Sequence, residues 1–248
     1  MKISIITVCF NSESTILSTI ESVINQNYNN IEYIVVDGAS NDNTLNIIDK
    51  FRDNISQFIS EPDNGIYDAM NKGIYLATGE VIGILNSDDL FYDNNIISSI
   101  MDTFRNDQKI DAVYGNMMYF NSENPEKSVR FWKTVPFYGN FFEDGFIMPH
   151  PTLFLKKDIY KKIGTYYPNF KISSDYELML RAFRIYNFQP QYLNKTLVKM
   201  RVGGESTKSI KNVLIGNIEI YKSWKMNNLS LPIFFYFKRF LFKINQFF

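Results

Sequence analysis

Along the first part of the chain, apolar runs of five to eight residues alternate with stretches in which apolar residues recur at helical spacing. The runs are residues 3–10, 31–36, 55–60 and 81–85, the pattern of strands buried on both faces. Between them lie segments 12–25 (with Ile16, Ile20, Val23 and Ile24 on one stripe), 43–51 and 66–77, each predicted to be a helix. Strand and helix in strict alternation predict βαβ units. The expected architecture is therefore an α/β, Rossmann-like fold, with a mainly parallel central sheet and helices on both faces.

From about residue 107 the rhythm breaks. Residues 112–120 and 197–202 read as strands, 152–155 as a short strand, and 158–163 as a helical turn. The aromatic-rich stretch 121–149 reads as irregular, as a lid or acceptor-binding segment would. Residues 174–186 form an amphipathic pattern through Leu178, Leu180, Ala182, Phe183 and Tyr186, and Ser174 with Glu177 reads as a capping box. Residues 203–206 predict a turn and 208–224 a helix.

Polar residues cluster just beyond each early strand: Asn11, Asp37, Asp63 and the pair Asp88-Asp89. In open α/β sheets this is the edge where ligands bind. Helix capping accounts for Ser12, Asp42 and Asp93; four clusters on one edge favour a site.

Composition narrows the chemistry. Of 248 residues, 45% are hydrophobic, enough for a sizeable core, and 26 Lys+Arg balance 26 Asp+Glu, which argues against nucleic acid as a partner held by global charge. A single cysteine, Cys9, excludes a disulfide framework and Cys-cluster zinc, and a single histidine, His150, excludes multi-His metal sites. His150 reads either as a hydrogen-bonded structural group or as a contact to acceptor or sugar. Neither G-x-G-x-x-G nor G-x-x-x-x-G-K-[ST] occurs, against a dinucleotide dehydrogenase and a P-loop NTPase. The N-terminus lacks the long apolar core of a secretory signal, and no run of about 18 uncharged apolar residues occurs, so a cytoplasmic location is expected.

The carboxylates carry the candidate chemistry. Asp88 and Asp89 end an apolar strand, where adjacent charges repel unless a divalent cation such as Mg²⁺ or Mn²⁺ relieves them; solvated capping is the alternative. Asp37 closes the second strand, where a carboxylate accepts a hydrogen bond from a base or ribose. Asp175, at the first turn of the 174–186 segment, reads either as a helix cap or as an ionised general base facing a cleft.

These segments in order resemble family 2 glycosyltransferases of the GT-A fold. The resemblance runs through Ser4 to Asn11, through Glu21 to Gln26, and through the Asp37-Gly38-Ala39-Ser40-Asn41-Asp42-Asn43-Thr44 element. It continues through Asp63-Asn64-Gly65-Ile66-Tyr67-Asp68 with Lys72-Gly73, through Ala77 to Glu80, through Asn86-Ser87-Asp88-Asp89, and through Ser174-Asp175-Tyr176-Glu177, and covers about residues 3–206. The form of the Asp63–Asp68 element is most similar to enzymes of bacterial exopolysaccharide, capsule and O-antigen assembly. The resemblance implies a domain at 1–206, with a nucleotide-sugar half at 1–106 and an acceptor and catalytic-base half at 107–206, followed by a helical extension at 207–248. It implies that Asp37 binds the base, with Thr7, Asn11 and Ser40 lining the nucleotide site, and that Asp68 and Lys72 lie near the nucleotide and diphosphate. It further implies that Ser87 and Asp88 contact the nucleotide-sugar, that Asp89 holds Mn²⁺ or Mg²⁺, and that Asp175 is the base. Arg201 with the Gly203-Gly204 turn would clamp the diphosphate, or be a surface arginine beside a turn. The activity implied is inverting transfer from a nucleotide-diphospho-sugar, UDP before GDP or dTDP, to a hydroxyl of a saccharide or polyprenyl-lipid-linked acceptor. A nucleotidyltransferase and a non-catalytic sugar- or nucleotide-binding module are the alternatives.

The tail, residues 231–248, holds seven of the 22 phenylalanines, three cationic side chains and no acid. As a helix it puts Phe234, Phe237, Leu241, Ile244 and Phe248 on one face, with Lys238, Arg239 and Lys243 mostly opposite. A basic aromatic amphipathic segment predicts peripheral attachment to the inner face of the cytoplasmic membrane. Packing on the body or a homo-oligomer contact is the alternative.

Overall fold

The computed structural model describes residues 1–122, 124–203, 209–244 and 246. In chain order the elements are β1 (Ile3–Cys9), α1 (Ile16–Ile24), β2 (Ile31–Asp37), α2 (Thr44–Asp49), β3 (Gln57–Ser60), α3 (Ile66–Leu76), β4 (Val81–Ile84), β5 (Leu90–Phe91) and α4 (Ile96–Asn106). They continue with β6 (Ala112–Asn121), β7 (Asn124–Trp132), β8 (Phe154–Lys156), α5 (Lys157–Ile163), α6 (Ser174–Met179), β9 (Pro190–Arg201), α7 (Ile210–Met226) and α8 (Phe235–Ile244).

One mixed sheet runs in the order β3-β2-β1-β4-β8-β6-β9-β5, with β7 paired to β6. The first four strands of that order are parallel, and the register sets Ile6 opposite both Ile34 and Ile84. β8 turns antiparallel on β4 and on β6, and β9 returns parallel to β6. Side chains of a strand alternate between faces. Ile3 and Ile5 therefore meet α1 and α4 (Ile16, Ile20, Ile97, Phe104) in one core. Ile6 and Val8 meet α3, α6 and α7 (Met70, Ile74, Leu178, Trp224) in the other. Phe235 of α8 is fully buried in that second core, so the tail is docked on the body.

The early strands and helices fall where the pattern predicts them, and three later segments differ. Residues 124–132, expected to be irregular, form the outer strand of a hairpin with β6. An edge strand with polar residues on both faces gives no apolar period to read. β9 begins at Pro190 rather than 197, for the same reason, with Pro at the first position where no ladder N–H is required. The helix expected over 174–186 is α-helical only to Met179 and continues as a wide π turn, Leu180–Ile185. The expected capping box is not made. Ser174 is already inside the helix, so Glu177 N donates to Ser173 O at 3.2 Å and leaves Ser174 Oγ buried without a partner, while the Glu177 carboxylate is engaged by Arg181 one turn on, at 2.8 Å. Gly204 to Ser206 and Phe248 lie outside the described residues.

Two carboxylates anchor the frame. Glu32, at the N-terminal edge of the sheet, is buried and accepts hydrogen bonds from Lys2 Nζ (2.8 Å), Ser4 Oγ (2.5 Å), Thr78 N (2.7 Å) and Thr78 Oγ1 (2.6 Å). Burial opposes its charge, but the bonds from Lys2, Ser4 and Thr78 outweigh burial and hold the carboxyl at about 2. At the other end, Glu219 of α7 accepts the backbone N–H groups of Lys171 (2.7 Å), Ile172 (2.9 Å) and Ser173 (2.8 Å), fixing the segment that enters α6.

Each anchor has a measurable consequence. Glu32→Gln is expected to lower stability at pH 7 by about 1.5–3 kcal/mol, the range for hydrogen bonds to a charged group. The native carboxyl is depressed from 4.5 to about 2, so its contribution is present above pH 4.5 and lost as pH falls toward 2. Urea unfolding at several pH values should show the gap between wild type and variant closing over that window. Glu219→Ala leaves three backbone donors unsatisfied and should cost about 2–3 kcal/mol. Faster amide hydrogen exchange confined to the region around residues 171–173 would report it directly.

Candidate functional site

The parallel strands end on one edge of the sheet, and their loops meet there through side-chain hydrogen bonds. Asp37 at the end of β2 is buried with all its oxygens occupied. Oδ1 accepts from Ser40 Oγ at 2.5 Å and faces Cys9 Sγ at 3.6 Å, and Oδ2 accepts from Ser40 N at 3.0 Å and Ser60 Oγ at 2.7 Å. Ser40 Oγ in turn accepts from Asn11 N (2.8 Å), and Asn11 Oδ1 accepts from Asn41 N (2.9 Å). Asn11 and Ala39 both take positive φ, at 47° and 63°, so the two loops bend tightly around this carboxylate. Gly38 presses against the next loop, where a Cβ would lie 2.5 Å from Asp63 Oδ2, and Phe10 stands beside it with its ring exposed. The result is a slot edged by an aromatic ring and a carboxylate.

The remaining residues expected at the nucleotide fall into three places. Ser87 Oγ meets Ser12 Oγ at 2.8 Å, tying the end of β4 to the first loop. Asp68 caps the turn before α3, accepting from Asn64 N at 3.0 Å, while Lys72 donates to Pro62 O at 2.8 Å and pairs with Glu61 at 2.9 Å. Thr7 does not reach the edge with its side chain. It is fully buried, and its hydroxyl accepts from Tyr33 Oη at 3.2 Å inside the core.

Asp88 and Asp89 behave differently from Asp37. Asp89 is fully buried, yet Oδ1 has no hydrogen-bond partner, and neither does the buried Oδ1 of Asn86. Asn86 Nδ2 donates to Asp89 Oδ2 at a long 3.3 Å. Burial, with the Asp88 charge beside it, pushes the Asp89 carboxyl well up, and burial also raises Asp88 against the pull of Arg201. Arg201 lies over the Phe120 ring at 4.8 Å and donates from Nη1 to Ser122 Oγ at 2.7 Å, with its Nε buried and unpartnered. Among the described residues no three His, Cys, Asp or Glu side chains group closely enough to hold a metal by themselves. The donor set does fit a hard cation that draws further oxygens from a ligand: two unsatisfied buried oxygens, two adjacent carboxylates, and no sulfur or imidazole.

A cleft of about 840 Å³ opens beside this edge, lined by Asp68, Asn86, His150, Ile172, Asp175 and Met200 among others. Its volume suits a small-molecule site. Asp175 faces it from the first turn of α6, and Oδ1 accepts from Tyr67 Oη at 3.1 Å, a hydroxyl that also lies 2.8 Å from Ile172 O. His150 joins Tyr166 Oη at 2.8 Å, and burial pulls its imidazole down, so it is a neutral hydrogen-bonded wall of the cleft. The structure thus brings Asp68 and Asp175 into one cavity with Asn86, which leads to the Asp88-Asp89 pair. Asn11, Asp37 and Ser40 form a separate hydrogen-bonded set at the slot. Two positioning residues had gone unassigned. Tyr67 lies within the Asp63–Asp68 motif, so its position was visible though its partner was not. Glu219 lies in a stretch with no motif.

The family model for glycosyl transferase family 2 matches residues 4–164. An uncharacterised glycosyltransferase of Mycobacterium tuberculosis (strain CDC 1551 / Oshkosh) is 31% identical over 182 residues, which span 73% of this chain and 68% of that protein. A PGL/p-HBAD biosynthesis glycosyltransferase of Mycobacterium bovis (strain BCG / Pasteur 1173P2) is 27% identical over 188 residues, 73% of this chain and 69% of that one. In architecture the chain is similar to S. aureus TarS 1–349 in complex with UDP-GlcNAc, with TM-score 0.72, 19% identity and coverage of 96% and 69%. It is also similar to the mannosyltransferase PcManGT from Pyrobaculum calidifontis in complex with GDP-Man and Mn²⁺, with TM-score 0.66, 14% identity and coverage of 97% and 72%. With most of its length matched by the family model and by relatives of this kind, the chain belongs to glycosyl transferase family 2 and is a glycosyltransferase of the GT-A fold.

Proposed function

We propose that this enzyme transfers a hexosyl or N-acetylhexosaminyl group, with inversion, from a UDP-sugar to a hydroxyl of a lipid-linked saccharide in bacterial surface polysaccharide assembly. The observation that carries the reading is Asp175: a carboxylate facing the main cleft, held by the Tyr67 hydroxyl at 3.1 Å, on a segment pinned by Glu219. A positioned carboxylate takes the acceptor proton as the acceptor oxygen attacks the anomeric carbon from the face opposite the diphosphate. The new C–O bond forms as the bond to the diphosphate breaks, and the nucleoside diphosphate leaves. One displacement inverts the configuration and requires no covalent intermediate.

Residues 1–106 supply the donor side. Phe10 offers a face for a base, Asp63 an acceptor oxygen, and the Asp37–Ser40–Asn11 set holds their loops. Asp68 and Lys72 shape the wall toward the diphosphate, with Ser87 and Asp88 beside the sugar. Asp89, with Asp88, would hold Mn²⁺ or Mg²⁺, which when bound neutralises charge growing on the diphosphate. Arg201 balances the acidic pair from the opposite strand. Relatives solved with UDP-GlcNAc and with GDP-Man and Mn²⁺ support a nucleotide-sugar donor and a divalent ion. Residues 107–206 supply the acceptor side and the base, and 207–248 the extension.

No helix among the described residues is long and apolar enough to cross a membrane. The tail offers another form of contact. Phe234, Phe237 and Phe240 of its outer face are 67%, 61% and 60% exposed, beside Ile233, Leu241 and Ile244. An aromatic helix face of this kind, docked on the body and flanked by Lys238, suits the interface of the inner leaflet.

Thermal shift with UDP, GDP, dTDP and CDP, each with Mn²⁺ or chelator, is expected to single out UDP with Mn²⁺. Asp175→Asn should lower transfer by about 10²–10⁴-fold, the range for a general base, while leaving UDP affinity unchanged. Asp89→Ala should abolish the Mn²⁺-dependent shift. Transfer at the wild-type rate in Asp175→Asn would remove the base assignment. UDP binding without transfer to any acceptor would favour a non-catalytic module. For the tail, Phe234→Ser with Phe237→Ser should release the protein from anionic vesicles in co-sedimentation without lowering its melting temperature. This pair is a cleaner test than deletion, which would also remove the buried Phe235.

A further inference from the structure

A second cavity, of about 190 Å³, adjoins the main cleft and shares Asp175, His150, Ile172 and Met200 with it. That volume is several times the roughly 30 Å³ share of one water molecule. None of the residues assigned above to the nucleotide lines it. Its walls are the β6–β7 hairpin, α6, α7 and the tail helix α8, and its charged lining side chains are Asp175, Arg130, Arg239 and Lys243.

Arg239 and Lys243 are one helical turn apart on the cavity side of α8, Arg239 half-buried and Lys243 exposed at its rim, and the docking of the helix is closely fitted. Gly145, at φ 81°, lets the α8 backbone approach so closely that a Cβ there would lie 2.7 Å from Arg239 N. Lys238 pairs with Asp144 at 2.6 Å, and Phe242 meets the edge of Phe146 with ring centroids 4.8 Å apart. Arg130 of β7 donates to Gln246 Oε1 just beyond the helix. Arg239 lies near the face of Tyr176, and its Nη1 is buried with no hydrogen-bond partner. Among the described residues no ion pair engages Arg239 or Lys243. Burial, with Arg239 and Arg130 beside it, pushes the Lys243 ammonium down to about 8. A guanidinium nitrogen buried without a partner is costly, and here a closely fitted helix places it, with the exposed Lys243 ammonium one turn on, at a cavity that opens on the proposed base.

We propose that Arg130, Arg239 and Lys243 form a binding site for a phosphate group carried by the acceptor, which the tail helix completes. The inference rests on the transferase reading above. Two guanidinium forks and an ammonium match the charge and the several acceptor oxygens of a phosphate better than a single carboxylate or a neutral sugar. Placement apart from the nucleotide-side residues, yet sharing Asp175, puts this anion on the acceptor side of the reaction. A lipid-phosphate acceptor anchored here would present its saccharide hydroxyl toward Asp175.

The test is titration calorimetry on the full chain with two probes, geranyl phosphate and UDP with Mn²⁺. Wild type is expected to bind both. Arg239→Gln with Lys243→Gln should weaken geranyl phosphate by about ten- to a hundredfold, as expected for loss of charge-assisted hydrogen bonds, and leave UDP within about twofold. Arg239→Lys, which keeps the charge, should lose less, and Lys243→Gln alone gives the same reading should the double variant not fold. No binding of geranyl phosphate by wild type, or equal binding by wild type and variant, overturns the proposal. A variant that weakens UDP as much as geranyl phosphate also overturns it, since the anion would then be the donor's. Failure of wild type to bind UDP with any metal would instead sink the donor reading, and the geranyl phosphate comparison would still decide this site.

Discussion

Parallel pairing of β1 with β2 on one side and β4 on the other is the constraint on which the rest of the molecule depends. Parallel strands need a crossover between them, so each returning segment becomes a helix on one face, and each strand ends at the same edge. With Ile6 in register with both Ile34 and Ile84, the loops after β1, β2 and β4 emerge level with one another. That levelling lets Ser40 bond to Asn11, and Ser87 to Ser12, across loops more than twenty residues apart in the chain. A slip of one residue would turn Asp37 to the other face and break the set. The second half of the chain does not repeat this rule. β8 turns antiparallel against β4 and carries the sheet onward, so α6 and α7 face the open edge from the other side.

Buried charge sorts the site by purpose. Glu32, Asp37 and Glu219 are each surrounded by donors, and each ties together segments distant in sequence. Such groups stabilise the frame and have little left to offer a ligand. Asp89 is as deeply buried and Arg239 half-buried, yet each keeps a buried atom without a partner. Burying a polar group unmatched costs free energy, so a fold that keeps such groups while satisfying their neighbours fully has reserved them for something that arrives later. At the slot the same contrast holds: the Asp37 oxygens are engaged by Ser40 and Ser60, whereas Phe10 presents an exposed ring and Asp63 is half-buried beside it.

The sequence disclosed most about the parallel half. Strands buried on both faces read as continuous apolar runs, and the loops between them carry the family's motifs, so β1 to β4 and the positions of Asp37, Asp68, Asp89 and Asp175 were all legible. Where burial is one-sided or absent the signal failed. β7, within the stretch expected to be irregular, and the first half of β9, which no predicted element covered, alternate polar residues without a clear period. The 174–186 segment carries helical spacing, but spacing does not distinguish the π turn in which Arg181 and Arg184 reach Glu177 and Glu143. Glu219 was invisible because its partners are backbone N–H groups some 46 to 48 residues away, which no side-chain motif marks.

The tail shows both the reach and the limit of such reading. Helical spacing identified the face with Phe234, Phe237, Leu241 and Ile244, and that face is indeed the outward one. Phe235 and Phe242 interrupt the opposite, basic face. They are the anchors: Phe235 is buried against Trp224 and Tyr176, and Phe242 against Phe146 and Trp132. Two aromatic residues among three cations convert a face that would otherwise be solvated into one that must dock, and docking brings Arg239 and Lys243 to the cavity with it. The same helix therefore has an apolar side turned to the surroundings and a cationic side turned to the site. In the proposed reaction these two surfaces address the two ends of one substrate, its hydrocarbon and its phosphate. A rigid element of three turns can couple their positions to the carboxylate that receives the proton.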